Sequence, residues 1–307
     1  MLVHAHLFFQ PLSITITGDD GLLSYFLTKD ISRLPNNLLL FGYLALLIIQ
    51  ALRLDFLMAE LKMFNNDGYT TALSFVLLSG FFTQWFTLSS ALVANSFIIW
   101  IFIQLTKLYN NPEPKSLLFN TGLIVGATVL LYQPTAILLI VVLFSVAIIR
   151  PFNISEYIVL LFGIIMPFYL IVSLLYLNDK MQLLPSFIPN LQLYVPQLHH
   201  PIVFWVGLSL AALLFLLGVN VWSVQNSRML IQIRKNWSAM LVMAFVLLPI
   251  PFIFQNAGIE STIICIMPFA AFVSNIFLYP KKLLIPNILF WLCVAWIAYN
   301  NWFLYKK

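Results

Sequence analysis

The sequence predicts an all-α, polytopic helical membrane protein of about ten transmembrane helices (eight to ten), and three observations carry that prediction. Of its 307 residues, 62% are hydrophobic and 8% charged, with a mean hydropathy of +0.98; a soluble domain runs at roughly 45–50% apolar and about 25% charged. The apolar residues come in long unbroken runs rather than in alternation, which excludes an outer-membrane barrel. The cationic residues sit between those runs, where they set topology. The net charge of +5 is dispersed in this way and gives no nucleic-acid footprint. Cys265 and Cys293 both lie inside apolar runs, so neither a disulfide framework nor a zinc pattern is expected.

A helix needs roughly 20 apolar residues to cross the hydrocarbon core. Read that way, the sequence offers up to ten spans in order: Asn36–Leu57, Tyr69–Phe86, Leu88–Tyr109, Leu117–Leu131, Tyr132–Ile149, Tyr157–Leu177, Pro201–Trp222, Trp237–Phe254, Ser261–Tyr279 and Leu283–Trp302. The short fourth stretch and the fifth also read as a helical hairpin pivoting at Tyr132-Gln133-Pro134. Residues 1–35 form an outer segment in which Gly21–Ile31 reads as a short helix, either lying in the interface or packed on the bundle. Residues 36–303 make one transmembrane domain with its longest outer loop at 178–200, and 304–307 are a tail.

The connections after the odd-numbered spans carry Arg53, Lys62, Lys107, Lys115, Arg150, Arg228, Arg234, Lys235, Lys281 and Lys282, while those after the even-numbered spans carry Lys180 alone. That bias predicts that the ten-residue set faces the cytoplasm and the other set the periplasm or the equivalent outer side. Residues 1–35 then face outward with nothing upstream to carry them across, which predicts either a missing first helix or an unusual translocation.

Polar groups in a membrane bundle are expensive, so they mark candidate sites. The outer side collects Asp19 and Asp20 in Gly-Asp-Asp-Gly, Gln84 and Trp85 in one turn, Tyr132 and Gln133 in the next. Asp179, Lys180, His199 and His200 fall in the long loop, and Gln255, Asn256 and Glu260 in the last. Asp19 and Asp20 are the candidate catalytic carboxylates, because paired like charges raise one pKa toward neutrality. The other reading of Gly-Asp-Asp-Gly is a solvated turn. Gln84, Trp85, Tyr132, Gln133, Lys180, His199, His200 and Glu260 are candidate substrate-binding residues. His199-His200 lacks the i, i+4 spacing of a helical zinc pair, and no metal ligands are assigned. Arg53 and Asp55 are expected to snorkel to the inner interface. Gln50, Asn95, Gln104 and Asn275 are expected to hydrogen-bond between helices, and Trp222, Trp237, Trp291, Trp302 and Tyr305 to form interfacial belts.

The segments Leu88–Trp100 (LSSALVANSFIIW), Leu108–Pro134 (LYNNPEPKSLLFNTGLIVGATVLLYQP) and Arg150–Leu170 (RPFNISEYIVLLFGIIMPFYL) resemble a family of functionally uncharacterised inner-membrane proteins of Bacteroidetes-type bacteria. Members of that family begin with one more helix and often carry an acid where this chain has Gln84. A more distant pattern is the order of outer acidic pair, short hairpin and Gly-rich helix, here with Gly122 and Gly126 as a small-xxx-small contact. It resembles the polyprenyl-dependent GT-C glycosyltransferases. That resemblance implies a GT-C-like bundle and a sugar taken from a polyprenyl-phosphate carrier at the periplasmic face. A carboxylate would take the acceptor's proton, and a divalent cation, Lys180 or a histidine would steady the departing phosphate. Two non-enzymatic readings stand beside it: an assembly subunit of a cell-envelope complex with a small membrane-protein partner, and a lipid or small-solute transporter. In every case the lipid bilayer is the surrounding partner.

Overall fold

The computed structural model describes residues 2–9, 12–15, 17–31, 34–64, 68–187, 202–254, 257–280 and 284–303. After a 3-10 turn over Leu2–Phe9 and strand β1 (Ser13–Ile14) come α1 (Leu22–Ile31), α2 (Asn36–Glu60) and α3 (Thr70–Ser79). Strand β2 (Thr87–Leu88) leads into α4 (Ser90–Thr106), α5 (Pro114–Leu131), α6 (Leu138–Ile149) and α7 (Ile154–Leu177). The last third holds α8 (Ile202–Asn226), α9 (Ile231–Leu247), α10 (Ile250–Ile253), α11 (Ile266–Leu278) and α12 (Leu284–Ala298). The protein is therefore an all-α polytopic bundle with one two-residue parallel strand pair added.

Every expected span coincides with helix, but not every one is long enough to cross. Among the described residues, seven helical stretches have the length and hydropathy to span a membrane, and Thr70–Ser79, Ser90–Thr106 and Gln133–Ile149 are shorter. The second stretch departs most. Its ten-residue α3 rises about 15 Å, half of the hydrocarbon core. Hydropathy misses this early end because Phe81, Phe82 and Trp85 keep the sequence apolar after the helix has stopped. The chain becomes extended at Phe82 (φ −122°, ψ 129°), and the freed carbonyls must find donors. Asn300 Nδ2 donates to Phe81 O at 3.0 Å, Trp296 Nε1 to the same oxygen at 3.4 Å, and Asn301 Nδ2 to Gly80 O at 3.4 Å.

Burial ranks the helices. In the stretch Ile259–Leu278, 78% of the most apolar window is buried, whereas α7 buries only 22% of its own. The first is the axis of the bundle. The second turns Phe162, Ile165 and Tyr169 outward, each more than half exposed, which suits lipid rather than water. What α7 does bury is a backbone-to-backbone seam with α5. A Cβ on Gly122 would meet the Leu160 carbonyl, one on Gly126 would lie 2.5 Å from Ile164 O, and one on Gly163 would meet Phe119 O. The small-xxx-small spacing thus joins α5 to α7, two parallel helices, rather than α5 to its neighbour α6. The hairpin at Tyr132-Gln133-Pro134 forms as expected, through an extended Tyr132 and a 3-10 turn over Gln133–Ile137.

The cationic connections meet at one end. Arg150 donates to Leu108 O (2.8 Å) and Asn111 O (2.9 Å) and pairs with Glu156 at 3.2 Å. Lys235 donates to Ile149 O at 2.8 Å and lies 5.5 Å over the Tyr109 ring. Phe64 and Tyr279 bring the first and last of these connections together, with ring centroids 6.4 Å apart. Two smaller expectations are corrected at this end. Asp55 does not snorkel: it is 8% exposed and accepts the Ala72 N–H at 3.3 Å, capping α3. Trp222 and Trp237 are not belt residues but core, with rings 6.1 Å apart; a bond from the Trp237 indole to Met63 O (3.4 Å) satisfies its polar atom. Asn95 does bridge helices, donating to Gln50 Oε1 at 3.1 Å, while Asn275 turns back onto Ala271 and Phe272 of its own helix.

Overpacking the seam should destabilise the bundle by about 1–3 kcal/mol. Gly122→Leu and Gly163→Leu are expected to lower the thermal midpoint in detergent. Gly42→Leu, at a glycine with nothing within 4 Å of its Cβ direction, should leave it unchanged.

Candidate functional site

The opposite end is built around the N-terminal segment. Strand β1 runs parallel to β2, with Ser13 opposite Thr87 and Ile14 opposite Leu88, and the hydroxyls of Thr15 and Thr87 lie 3.1 Å apart. The chain then closes on itself. The Asp20 N–H donates to Thr17 O at 3.1 Å, and the Asp20 carboxylate accepts from the Thr17 N–H and hydroxyl, both at 3.2 Å. Such a self-closing aspartate turn is a local alternative to helix or sheet.

Leaving that turn, the backbone pairs with the break between α5 and α6. Asp20 bridges to Tyr132 in antiparallel sense. Gln133 N–H donates to Asp19 O and Gly21 N–H to Leu131 O, both at 3.0 Å, and Gln133 Nε2 reaches Asp20 O at 3.3 Å. Gly21 is required here, because a Cβ would overlap the Leu130 carbonyl. The solvated-turn expectation is therefore overturned: Asp19 and Asp20 are 3% and 8% exposed. Two glycines and two aspartates look like a loop only until Tyr132-Gln133 pairs with them.

Glu260 arrives from the 3-10 segment Ile259–Cys265 that opens the central stretch. It is half-buried, takes a hydrogen bond from Thr15, and has one carboxylate oxygen without a partner. Tyr132, 1% exposed, lies among all three acids. Burial first, then the charges of Asp19, Asp20 and Glu260, hold its phenol well above the usual range, against a hydrogen bond with Ser261. Asp20 is likewise pushed up, mainly by burial, with Ser90 and Thr17 hydrogen bonds opposing and the Asp19 charge adding.

Trp85 closes one side. Its indole N–H donates to Thr262 Oγ1 at 3.1 Å, and Thr262 in turn donates to Ile259 O at 2.6 Å. Gln84 is half-buried in the same turn, with Thr83 Oγ1 at 3.5 Å from its side-chain oxygen. The structure thus brings Asp19, Asp20, Tyr132, Gln133 and Glu260 together, with Trp85 beside them and Gln84 next to it. Lys180 is not part of this group; it stands exposed past the end of α7, its backbone N–H held by Leu175 O. His199, His200, Gln255 and Asn256 lie outside the described residues, as does the belt candidate Tyr305. Among the described residues, no group of three or more His, Cys, Asp or Glu is arranged to hold a metal ion.

The hydroxyl shell went unread: Thr15, Thr17, Ser90, Ser261 and Thr262 supply most of the side-chain hydrogen bonds to the acids, Tyr132 and Trp85. The alternation in Ser13–Thr17 (SITIT) is the strand signal that locates the first two. His4 also went unread. It is 3% exposed, its rings lie edge-on to Tyr43 and Phe86, and its Nε2 is 3.0 Å from Ser79 Oγ. Ser79 spends its own proton on Val76 O, so His4 Nε2 is the donor. Burial, with the nearby His6 and N-terminal charges, lowers its pKa to about 3 and keeps it neutral.

Fold and site together define a polytopic α-helical membrane protein with a buried carboxylate–tyrosine cluster at one end. The chain belongs to the DUF6427 family, a family of unknown function, whose model matches residues 21–305. Tyr132 and Glu260 fall inside that match; Asp19 and Asp20 immediately precede it. No curated protein and no solved structure matches the chain.

The folded state holds the Asp20 pKa above its unfolded value, so it binds that proton more tightly than the unfolded chain. Its contribution is greatest below the unfolded range and declines as pH rises through the shifted value. Asp20→Asn should flatten the fall in thermal midpoint as pH rises above about 4, the unfolded carboxylate range; an unchanged slope would contradict the assignment.

Proposed function

We propose that the protein is a GT-C-like transferase of the bacterial inner membrane, moving a sugar from a polyprenyl-phosphate carrier at the periplasmic face. The observation that carries this reading is the meeting of the adjacent Asp19 and Asp20 with the distant Glu260 around one buried tyrosine, at the end opposite the cationic connections. Burying acids in a bundle is costly, and such clusters are concentrated at functional sites. The cationic connections face the cytoplasm by the positive-inside bias, which puts the acids on the outer leaflet.

Among the acids, Glu260 is the base. Asp20 already accepts bonds from Thr17 within its own turn, whereas one buried Glu260 oxygen makes no hydrogen bond. The acceptor's hydroxyl oxygen attacks the anomeric carbon, and the bond from that carbon to the carrier phosphate breaks with its electrons leaving on the phosphate. The hydroxyl proton passes to Glu260. Asp19 and Asp20 fix the Tyr132-Gln133 turn beside it. The departing phosphate needs a positive partner, for which His199, His200 or a divalent cation are the candidates.

A second reading, a non-catalytic assembly subunit of an envelope complex with a small membrane-protein partner, is favoured by the same Asp20 turn, since an aspartate spent on local structure needs no chemistry. One pair of variants separates them. Glu260→Gln is expected to abolish surface-glycan transfer in cells while leaving the protein's abundance intact, and Asp20→Ala to lower abundance. Wild-type glycans in a normally abundant Glu260→Gln strain would contradict the transferase reading. Co-purification of a stoichiometric partner in gentle detergent would then support the second.

A further inference from the structure

An apolar groove of about 190 Å3 lies where α3 stops, between α8, α10 and the start of the central stretch. Its floor is Phe81, Phe82, Ile266 and Phe269, and its rim is Trp205, Leu208, Leu248 and Phe252. The rim residues are 39–49% exposed and sit on membrane-spanning stretches, so the groove opens sideways into the hydrocarbon layer. Its far wall is the Trp85–Thr262 hydrogen bond of 3.1 Å, two residues along the chain from Glu260.

We propose that this groove binds a single hydrocarbon chain of a membrane lipid. Three features of the groove favour this occupant. The one hydroxyl on the described lining is already spent: Thr262 receives the Trp85 N–H and donates to Ile259 O. Among the described residues no charged side chain lines it, so an ionised solute finds no counter-ion there. The rim residues lie on membrane-spanning stretches, so a chain enters from the bilayer without crossing water. The broken α3 is what makes the room; a continuous helix through Phe81–Trp85 would fill it. The chain site stands on the groove itself, and where the transferase reading holds, it is the carrier's hydrocarbon that lies there.

Photo-crosslinking tests this on the full-length protein in phosphatidylethanolamine–phosphatidylglycerol vesicles, with two probes: a diazirine-tagged phosphatidylglycerol and a diazirine-tagged polyprenyl phosphate. Label from either probe should map to Phe81–Trp85 and Ile259–Phe269, and the stronger of the two identifies the source of the chain. Ala211→Phe, which fills the groove, should cut that label by about tenfold, or ~1.4 kcal/mol of binding. Ala295→Phe, on an exposed position of α12, should not. Leu208→Trp at the rim repeats the block should Ala211→Phe fail to accumulate. Glu260→Gln should keep the label even where it loses transfer, which separates this proposal from the catalytic one. Label confined to outward faces such as that of α7, and unchanged by both blocking variants, would overturn it.

Discussion

Backbone groups that leave a helix inside an apolar layer must find partners in the protein, and this requirement shapes one whole end of the bundle. Helix α3 stops at Ser79 and α5 at Leu131, and α9 gives way to the short α10 at Pro249. Each break frees carbonyls and N–H groups. The Gly80 and Phe81 carbonyls are taken by Asn300, Asn301 and Trp296. The Leu131 carbonyl and the Gln133 N–H are taken by Gly21 and Asp19. The N-terminal segment is thereby a structural part of the bundle end, and its acids are carried into the interior by backbone pairing rather than by any affinity of their own for that place.

The two ends solve the same problem with opposite chemistry. At the cationic end, long side chains reach helix C-termini: Arg150 holds the carbonyls of Leu108 and Asn111, and Lys235 that of Ile149. Positive charge at a helix C-terminus also complements its dipole. At the acid end short hydroxyls and carboxylates do the work, and burial keeps Asp20 and Tyr132 biased toward their neutral forms. One end is wired for stability and topology. The other holds acids and a phenol whose neutral forms burial favours.

Much of this architecture was legible in the sequence, because long apolar runs, alternating cationic connections and Gly122/Gly126 are local or periodic signals. The Tyr132-Gln133-Pro134 pivot was legible as well, since proline and the polar pair interrupt an apolar run. What the sequence concealed depends on contacts between distant residues. The end of α3 was hidden by Phe81 and Phe82, as apolar as the helix they follow. The burial of Asp19 and Asp20 was hidden because it rests on pairing with Tyr132-Gln133, more than a hundred residues away. Asp55 reads as an interfacial charge until α3 places the Ala72 N–H against it. Six of the ten candidate site residues, Asp19, Asp20, Trp85, Tyr132, Gln133 and Glu260, meet or adjoin one another. Lys180 stands apart, since a basic residue past a helix end carries no information about where that end leads.

The central claim is that the N-terminal acidic segment is built into the bundle end. It is tested most directly by a disulfide between β1 and β2, in a background where the buried Cys265 and Cys293 are replaced by serine. Ile14→Cys and Leu88→Cys stand at paired positions in the parallel ladder, within reach of a disulfide. The account predicts rapid, near-complete cross-linking in native membranes on mild oxidation, seen as a reducible mobility shift. No cross-link beyond that of Ile14→Cys paired with a cysteine at Ala72 would contradict it.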